Sequence, residues 1–391
     1  MDTHSAVVFL PNDMARTGLP RPTMLLPVLG SPLLAWLADA LRARGVDRFF
    51  LVCRSEFLEE AKACFPASAE LSCASDQNVA DLLHVFLSTA GDEEAETLVI
   101  TGPMILAEPG LRPTQTSGAA PACLVPRDAF MSVLDEKFSL MDFLAHRGAP
   151  CAGNEGMYAV TDPMDLADWQ PVLRRASLRR LTAAGVLVWD PENCYVAPSV
   201  EVGAGTELLP GTILRGTTVI GRDCKIGPNS LLENASVGDR TTVNASQIYD
   251  SAVGSDTAVG PFAYVRPGCC IGDHIKLGDF VEVKNSVIGN GTKVSHLTYI
   301  GDSDVGERVN FGCGTVTVNY DRAKKHRTTI ADDSFIGCNT NLIAPVTVGR
   351  GSYIAAGSTI TDDVPDQALG IARARQYNKK DWATRHKIKE K

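Results

Sequence analysis

The first part of the chain, up to about residue 170, alternates short apolar runs with amphipathic stretches. The apolar runs have the length and composition of buried strands and lie at residues 6–10, 48–52 and 97–101. The amphipathic stretches have apolar residues at helical spacing and lie at residues 32–44, 57–65 and 79–90. Because strands that alternate with helices are typical of a sheet covered by helices, residues 1–170 are predicted to form an α/β domain.

A second pattern begins near residue 196, where an aliphatic residue returns at nearly every sixth position and is often followed by glycine or a small polar residue. The aliphatic positions are Val196, Val202, Leu208, Leu214, Ile220, Ile226 and Leu232 and, after one-residue slips, Val237, Val243, Ile248, Val253, Val259, Val265, Ile271, Leu277 and Val283. This is the hexapeptide repeat of a parallel β-helix, in which each unit forms one side of a triangular coil and the aliphatic residue points inward.

These patterns predict four segments: the α/β domain at 1–170, a helical linker at 171–194, the β-helix at 195–362 and a basic tail at 363–391. The helical pattern that leads into the linker covers residues 163–184. The β-helix has room for about eight or nine coils, and its period breaks once, around residues 319–327. A solenoid tolerates insertions where they project outward, often on its binding face, so this break is a candidate functional loop.

Composition narrows the class of protein. The chain has 391 residues, of which 45% are apolar and 21% are charged, as expected for two folded domains. A net charge of −9 argues against a nucleic-acid partner. No secretory signal and no apolar run of about 18 residues is present, so we expect no membrane association and a cytoplasmic location. The eleven cysteines form no CxxC pair, which favours reduced thiols.

Polar and cationic side chains concentrate where the repeat is least regular. They are Arg266, Glu282, Lys284, His296, Tyr299, Asn310, Asn319, Tyr320 and Lys325. Taken singly, each has a structural interpretation as a surface ion pair or a solvated side chain. A β-helix without chemistry, acting as a spacer or an oligomerisation scaffold, also fits the repeat alone.

A zinc site is the metal alternative, since zinc enzymes on this architecture need three converging histidines. Only His274, His296 and His326 are candidates, and His326 lies among Lys324, Lys325 and Arg327, which disfavours a cation. We therefore expect no metal in this half of the chain.

Four strings carry a resemblance to a known family: GPFAYVRPG at 260–268, FVEVK at 280–284, HLTYIGD at 296–302 and GTVTVNYD at 314–321. In this order and spacing they closely resemble the acetyltransferase domain of the bacterial bifunctional N-acetylglucosamine-1-phosphate uridyltransferase/glucosamine-1-phosphate N-acetyltransferase family. The resemblance extends from about residue 260 to residue 373 with almost no gaps. It implies a homotrimer of left-handed β-helices, with active sites where neighbouring subunits meet.

The resemblance also implies a reaction and residue roles. The enzyme would acetylate glucosamine-1-phosphate with acetyl-CoA, supplying UDP-N-acetylglucosamine for cell-wall precursors. His296 would be the general base, a task that suits imidazole, and Glu282 would orient it. Arg266 and Lys284 would hold the sugar phosphate. The remaining substrate contacts would be Tyr299, Asn310, Asn319, Tyr320 and Lys325.

Coenzyme binding is implied at four further positions. The backbone N–H at Cys313, where the family usually has alanine, would polarise the thioester carbonyl. Cys338, where the family often has serine, would line the coenzyme cleft with Ala356 and Arg373. The two thiols are either small side chains in the solenoid wall or redox-active groups. The basic tail would help to clamp the coenzyme phosphates.

The resemblance weakens in the first domain, which the family uses to join UTP to N-acetylglucosamine-1-phosphate. The expected glycine-rich phosphate loop reads FLPNDMARTG at 9–18, with Pro11 near its start and Arg16 as a possible remnant. The string LVITGP at 98–103 ends in Pro103 where a metal-binding aspartate is expected.

We interpret residues 1–170 as a degenerate nucleotidyltransferase-like, Rossmann-like α/β domain without uridyltransferase activity. Magnesium would be needed only if that domain is active. Three alternatives stay open: a bifunctional enzyme, a domain that binds another nucleotide or sugar, and a trimeric scaffold that binds sugar phosphate without turnover. The sequence also leaves open which of several closely related sugar-amine phosphates is the acceptor.

Overall fold

The computed structural model describes residues 3–75, 78–91, 95–108, 120–135, 149–150 and 156–386. The chain divides into two compact units, Met1–Ala235 and Ser236–Lys391. The predicted segment boundaries at residues 170, 194 and 362 stay predictions.

The first unit opens with the α/β domain. Its helices are α1 Met14–Thr17, α2 Leu33–Arg42, α3 Leu58–Lys62, α4 Val79–Ser88, α5 Arg127–Asp135 and α6 Pro163–Ala183, and its 3-10 turns are Thr23–Leu25, Ser55–Phe57 and Pro191–Asn193. Its strands are β1 Ser5–Phe9, β2 Pro27–Val28, β3 Ser31–Pro32, β4 Arg48–Val52, β5 Glu70–Ala74, β6 Glu96–Ile100, β7 Met104–Leu106, β8 Ala122–Pro126, β9 Ala149–Pro150 and β10 Met157–Ala159. The predicted alternation of strands and helices is therefore confirmed.

The main sheet of this domain has the order β5-β4-β1-β6-β8-β9. Strand β1 pairs in parallel with both β4 and β6, whereas β8 is antiparallel to β6. The strand β1 is apolar because it lies in the middle of this sheet, with Ala6, Val7 and Val8 almost fully buried. The apolar face of α2 packs on the sheet through residues such as Leu37 and Leu41.

Short strands of the solenoid begin in the first unit. They are β11 Leu187–Val188, β12 Tyr195–Val196, β13 Glu201–Val202, β14 Glu207–Leu208, β15 Ile213–Arg215, β16 Val219–Ile220, β17 Lys225–Ile226 and β18 Leu231–Glu233. Each strand pairs with the strand three further along the chain, which gives the parallel orders β11-β14-β17, β12-β15-β18 and β13-β16.

The second unit consists almost entirely of such strands. They are β19 Ser236–Val237, β20 Thr242–Val243, β21 Gln247–Tyr249, β22 Ala252–Val253, β23 Ala258–Val259, β24 Tyr264–Val265, β25 Cys270–Ile271, β26 Lys276–Asp279, β27 Glu282–Lys284, β28 Val287–Ile288, β29 Lys293–His296, β30 Tyr299–Gly301, β31 Ser303–Val305, β32 Asn310–Phe311, β33 Val316–Val318, β34 Thr328–Ile330, β35 Phe335–Ile336, β36 Asn341–Ile343, β37 Val346–Val348, β38 Tyr353–Ile354, β39 Thr359–Ile360 and β40 Leu369–Gly370. A short helix, α7 Trp382–Arg385, follows.

These strands form three parallel sheets, one for each side of the coil. The first sheet has the order β20-β23-β26-β29-β32-β35-β38-β40, the second β21-β24-β27-β30-β33-β36-β39 and the third β19-β22-β25-β28-β31-β34-β37. The predicted fold class is confirmed: an α/β domain is followed by a left-handed parallel β-helix.

The predicted inward positions form the core of the solenoid. Of the sixteen aliphatic residues in the repeat, all but Val202 are buried. Val202 lies on β13, which is the end strand of its sheet, so no preceding coil covers that position. The tail residues up to 386 are exposed from residue 371 onward, and the predicted basic residues Lys387, Lys389 and Lys391 lie outside the described residues.

Two further findings concern the described residues only. None of their helices has the length and apolar character needed to cross a bilayer. Their histidine, cysteine and carboxylate side chains nowhere form a group of three that could hold a metal ion.

Buried hydroxyl groups connect one coil to the next. The Oγ1 of Thr257 donates to the carbonyl of Gly272 at 3.1 Å and accepts from the N–H of Ile275 at 3.1 Å. Thr241, in the preceding coil, accepts from the N–H of Thr257 in the same manner, at 3.1 Å. Each hydroxyl therefore satisfies backbone groups at a corner, where the strand ladder is interrupted.

Replacing Thr257 by valine should lower the free energy of unfolding by about 1–3 kcal/mol, because the buried N–H of Ile275 loses its acceptor. Denaturant unfolding of the purified protein would measure the change. The matched control is Thr257→Ser, which keeps the hydroxyl and should lose less stability. Equal stability of the valine and serine variants would show that this hydrogen bond contributes nothing.

Candidate active site

A single row of side chains follows the ends of strands in the first sheet. Direct pairing places Asp279 opposite His296. The pairing of β29 with β32 continues the row to Cys313, and the N–H of Gly314 donates to Leu297 O at 3.0 Å. The next steps are Cys338 and Ala356. We call Asp279, His296, Cys313, Cys338 and Ala356 the corner row.

The corner row begins with a carboxylate against the histidine. Asp279 Oδ1 lies 2.5 Å from His296 Nδ1, and the imidazole is about half exposed. This contact, more than any other, lowers the pKa of Asp279 below its usual value. The carboxylate is therefore ionised at neutral pH and can hold the proton of His296 on Nδ1.

The backbone next to Asp279 allows this approach. A side chain at Gly278 would collide with the carbonyl oxygen of Ser295 on the adjacent strand. Glycine at this position lets β26 and β29 pack closely where the strands end, so Asp279 reaches His296.

Three cationic side chains lie at or beyond the ends of second-sheet strands: Lys284 ends β27, Arg266 follows β24, and Lys325 lies in the loop after β33. We call Arg266, Lys284 and Lys325 the cationic cluster. The neighbouring Lys325 side chain lowers the pKa of Lys284, desolvation acts in the same direction, and Asp302 opposes both. Arg266 Nη1 donates to Glu282 Oε1 at 2.8 Å, so one of the three charges has a direct partner.

Asp302 forms the floor beneath this cluster. It is buried, and its two oxygens accept from Asn285 Nδ2 at 2.6 Å and Asn319 Nδ2 at 2.5 Å. Burial would raise the pKa of Asp302, but these amides and the nearby Lys284 and Lys325 lower it overall. Asn319 also lies 3.4 Å from the hydroxyl of Tyr299.

The loop at residues 319–327 holds Lys325 in place. Asp321 accepts from the N–H groups of Lys324 at 2.7 Å and Ala323 at 2.8 Å and contacts His326 Nε2 at 2.7 Å. These contacts, led by the Lys324 N–H, lower the pKa of the Asp321 carboxyl group. A β-bridge joins Tyr320 to Lys325 across the loop. The predicted period break is therefore an ordered turn.

The predicted coenzyme contacts follow one another on later coils. Cys313 is half-buried, whereas Cys338 and Ala356 are exposed. The aliphatic part of Arg373 lies beside Gly357, so a Cβ there would be 3.8 Å from Arg373 Cδ. Asn310 lies at the start of β32, opposite Lys293. It is three positions before Cys313.

Glu282 has a different contact from the one predicted for it. In the structure it binds Arg266, and Asp279 contacts His296. Reasoning from the sequence missed Asp279, Asn285 and Asp302. Asp279 could have been found from the sequence, because aligning the inward residues of successive coils places it opposite His296.

The loop after β1 is closed by its own side chains. Asp13 accepts from the N–H of Thr23 at 2.9 Å, from the Thr23 hydroxyl at 2.6 Å and from Arg16 at 3.1 Å. Arg16 also donates to the carbonyl of Thr161 at 2.8 Å. Pro103, at the predicted metal position, offers only its carbonyl, which accepts from Val160 N–H at 2.9 Å.

Known proteins similar to this chain agree with the repeat and with the motifs. Residues 327–362 match the family model described as bacterial transferase hexapeptide (six repeats). The "Bifunctional protein GlmU" of Geobacillus sp. (strain WCH70) is 51% identical over 236 residues, which are 60% of this chain and 51% of that protein. The protein of the same name from Brevibacillus brevis is 51% identical over 231 residues, 59% of this chain and 50% of its own length.

A solved structure, the UDP-N-acetylglucosamine acyltransferase of Arabidopsis, covers 48% of this chain and 70% of its own, with 18% identity and a TM-score of 0.31. The chain spans about half the length of the curated relatives that it matches. Over about 60% of its length, this chain is similar to proteins named "Bifunctional protein GlmU".

Proposed function

We propose that this chain transfers the acetyl group of acetyl-CoA to the amino group of glucosamine-1-phosphate. The observation that carries the proposal is a cationic cluster beside a histidine–carboxylate pair. Asp279 and His296 end strands of the first sheet, and the second sheet resumes three residues later with Glu282 and Tyr299. The second-sheet strands that begin there carry the cationic cluster at or beyond their far ends, so a base and an anion-binding group follow one another along neighbouring coils, as an amino sugar phosphate requires.

His296 acts as the general base. Its Nδ1 contacts Asp279, and among the described residues no side chain or backbone group bonds its Nε2. Nε2 accepts a proton from the substrate amine, and Asp279 stabilises the imidazolium that forms. Asp279 is a positioning residue in this scheme, because it acts through His296.

The cationic cluster binds the phosphate. Like charges held side by side cost free energy unless an anion joins them, and the neighbouring Lys325 side chain lowers the pKa of Lys284. A phosphate dianion satisfies both Lys284 and Lys325 and can accept from the guanidinium of Arg266. Tyr299, Asn310, Asn319 and Tyr320 then contact the sugar and the acetyl group.

The thioester binds along the later part of the corner row. Among the backbone hydrogen bonds of the described residues, none uses the Cys313 N–H, so it is available to the thioester oxygen. The amine lone pair attacks the carbonyl carbon, the C–S bond breaks, and coenzyme A leaves as the thiol with the proton from His296. Cys338, Ala356, Arg373 and the basic tail contact the coenzyme, and no metal takes part.

A homotrimer completes the proposal. Three large apolar side chains project from the corner beside the site: Phe262, Phe280 and Leu297 are 59%, 57% and 55% exposed. All three have positive φ, at 60°, 56° and 43°, which strains bulky residues. An interface that covers them offsets both the exposure and the strain.

The α/β domain is proposed to have lost uridyltransferase activity, because Asp13 binds its own loop, Arg16 binds Asp13 and the Thr161 carbonyl, and Pro103 provides no carboxylate. The relatives are named bifunctional, and retained activity with magnesium is the alternative. Either way, we propose a cytoplasmic enzyme of UDP-N-acetylglucosamine synthesis.

Substitutions of the two carboxylates Asp279 and Glu282 should change different kinetic parameters. We expect Asp279→Asn to lower kcat by about 10-fold or more, with little change in KM, because the imidazolium loses its partner. Glu282→Gln should instead raise KM for the sugar phosphate, because Arg266 loses its anchor. His296→Ala should lose roughly 10²–10⁴-fold in kcat. Thiol release from acetyl-CoA measures all three.

The control for these variants is His274→Ala, which alters an exposed histidine on another corner and should keep full activity. Because the Asp279 pKa is depressed, the carboxylate stays charged as pH falls to about 6, so titration of Asp279 itself should not change the ratio between wild type and Asp279→Asn between about pH 6 and pH 9. Normal kcat in Asp279→Asn would remove its positioning role. Sugar-phosphate binding by the wild type without thiol release would indicate a scaffold.

As pH rises into the alkaline range, phosphate binding should weaken at a lower pH than it would with an ordinary lysine. The pKa of Lys284 is lowered from 10.5, so its proton is lost at a lower pH than that of an ordinary lysine. KM for the sugar phosphate should rise in that range. Lys325→Met should raise KM about tenfold at neutral pH and move the alkaline rise to higher pH, because Lys284 no longer has a cationic neighbour.

Steady-state kinetics at a series of pH values, at constant ionic strength, measure this shift. Lys225→Met, a substitution in the first unit, is the matched control for losing one positive charge. An alkaline profile that is identical in wild type and Lys325→Met would contradict the pairing of the two lysines.

The α/β domain should not catalyse the reaction of UTP with N-acetylglucosamine-1-phosphate. Incubation with UTP, N-acetylglucosamine-1-phosphate and magnesium should release no pyrophosphate above a protein-free control. The same preparation must release thiol from acetyl-CoA, which shows that its second unit is folded. Pyrophosphate release that depends on magnesium would establish the bifunctional alternative.

A further inference from the structure

The corner row contains two adjacent thiols that the proposed acetyl transfer does not use. Phe311 pairs with Ile336, and two residues later the N–H of Asn339 donates to the carbonyl of Cys313 at 2.8 Å. Cys313 and Cys338 therefore occupy the same position on successive coils, although 25 residues separate them in sequence.

The geometry of neighbouring coils suits a disulfide. Strands paired in register lie about 4.8 Å apart, and disulfides join Cα atoms roughly 4.4–6.8 Å apart. Cys338 is exposed and Cys313 is half-buried, so a reagent in solvent can reach the pair. Ala356, the next member of the row, adds only a methyl group beside Cys338.

The other thiols of the second unit lack this arrangement. Cys269 is buried. Cys270 is exposed, but its partners on the adjacent strands are Ala252 and Val287. Burial also raises the pKa of Cys269, which makes it a poor nucleophile.

We propose that Cys313 and Cys338 form a reversible intramolecular disulfide on exposure to a low-molecular-weight disulfide, and that this bond blocks acetyl transfer. The first half of the proposal depends only on the register of the coils. The second half rests on the proposed function, in which the thioester lies against Cys313.

The chemistry is a pair of thiol–disulfide exchanges. The thiolate of Cys338 attacks one sulfur of the small disulfide, that S–S bond breaks, and one small thiol leaves. The thiolate of Cys313 then attacks the Cys338 sulfur of the mixed disulfide and displaces the second small thiol. Two protein thiols and one small disulfide become one protein disulfide and two small thiols, and a dithiol reductant reverses the reaction.

The bond would act on the site directly. It joins the side chains of two successive members of the corner row, one step beyond His296. Because a thioester misplaced by about 1 Å can lose roughly 100-fold in rate, we expect a large fall in acetyl transfer.

The test uses the full chain treated with oxidised glutathione, then alkylated, digested and examined by mass spectrometry. We expect a linked peptide pair containing Cys313 and Cys338, two hydrogens lighter than the two free peptides. Acetyl transfer should fall about 10-fold or more and return after dithiothreitol. Cys338→Ala should form no link and lose less activity on oxidation, relative to its own reduced form. Cys270→Ser, the matched control, should behave as wild type.

Absence of the Cys313–Cys338 peptide would overturn the proposal, as would glutathione retained on Cys338 as the only product. A link that leaves acetyl transfer unchanged would overturn the inhibitory half. If the link forms but the reduced protein releases no thiol from acetyl-CoA, the thiol site stands and the proposed function fails, so the two outcomes are distinguishable.

Discussion

The structure of the second unit depends on one constraint: each residue of a coil lies directly beside its equivalent in the next coil. Parallel strands hydrogen-bond in register, so a contact between Asp279 and His296 is local in space although 17 residues separate them. The same register extends the row to Cys313 and, past the inserted loop, to Cys338. The imidazole of His296, the backbone N–H of Cys313 and two thiols are thus aligned by the backbone alone.

The cationic cluster depends on the same register. Lys284 and Asp302 lie on successive coils, as the N–H of Asp302 donates to Lys284 O at 2.9 Å. Lys325 reaches them only because the loop closes on itself through Asp321 and is fixed to the coil by Arg327, which binds Asp304. The solenoid supplies a rigid floor, and a single insertion adds the charge that a repeat of six residues cannot.

The fold could be predicted from the sequence because the inward aliphatic residue is needed in every unit, whatever the function. Val202 is the one repeat residue that is not buried, and it shows the limit of this prediction, since a periodic pattern does not reveal where the stack of coils ends. The partner of His296 was harder to predict. Outside the inserted loop, coils vary between 16 and 18 residues, as in the pairings Val243–Val259, Leu277–Val294 and Val265–Val283, and one slip exchanges Asp279 for another side chain. The role of Glu282 came from the family resemblance, and a matched motif does not measure distance across a corner.

Stability and chemistry use opposite faces of the same strands. Inward residues such as Val294 and Phe311 are buried and fix the coil, whereas the outward and corner positions that follow them are free to differ between proteins of one fold. Cys313 and Cys338 stand at such positions, where the resembling family has smaller or hydroxyl side chains, and the pairing of their strands is intact. New chemistry can therefore arise at the corner of a solenoid without any change in its core. Because the next coil repeats the position, two substitutions on one row are enough to bring two reactive groups together.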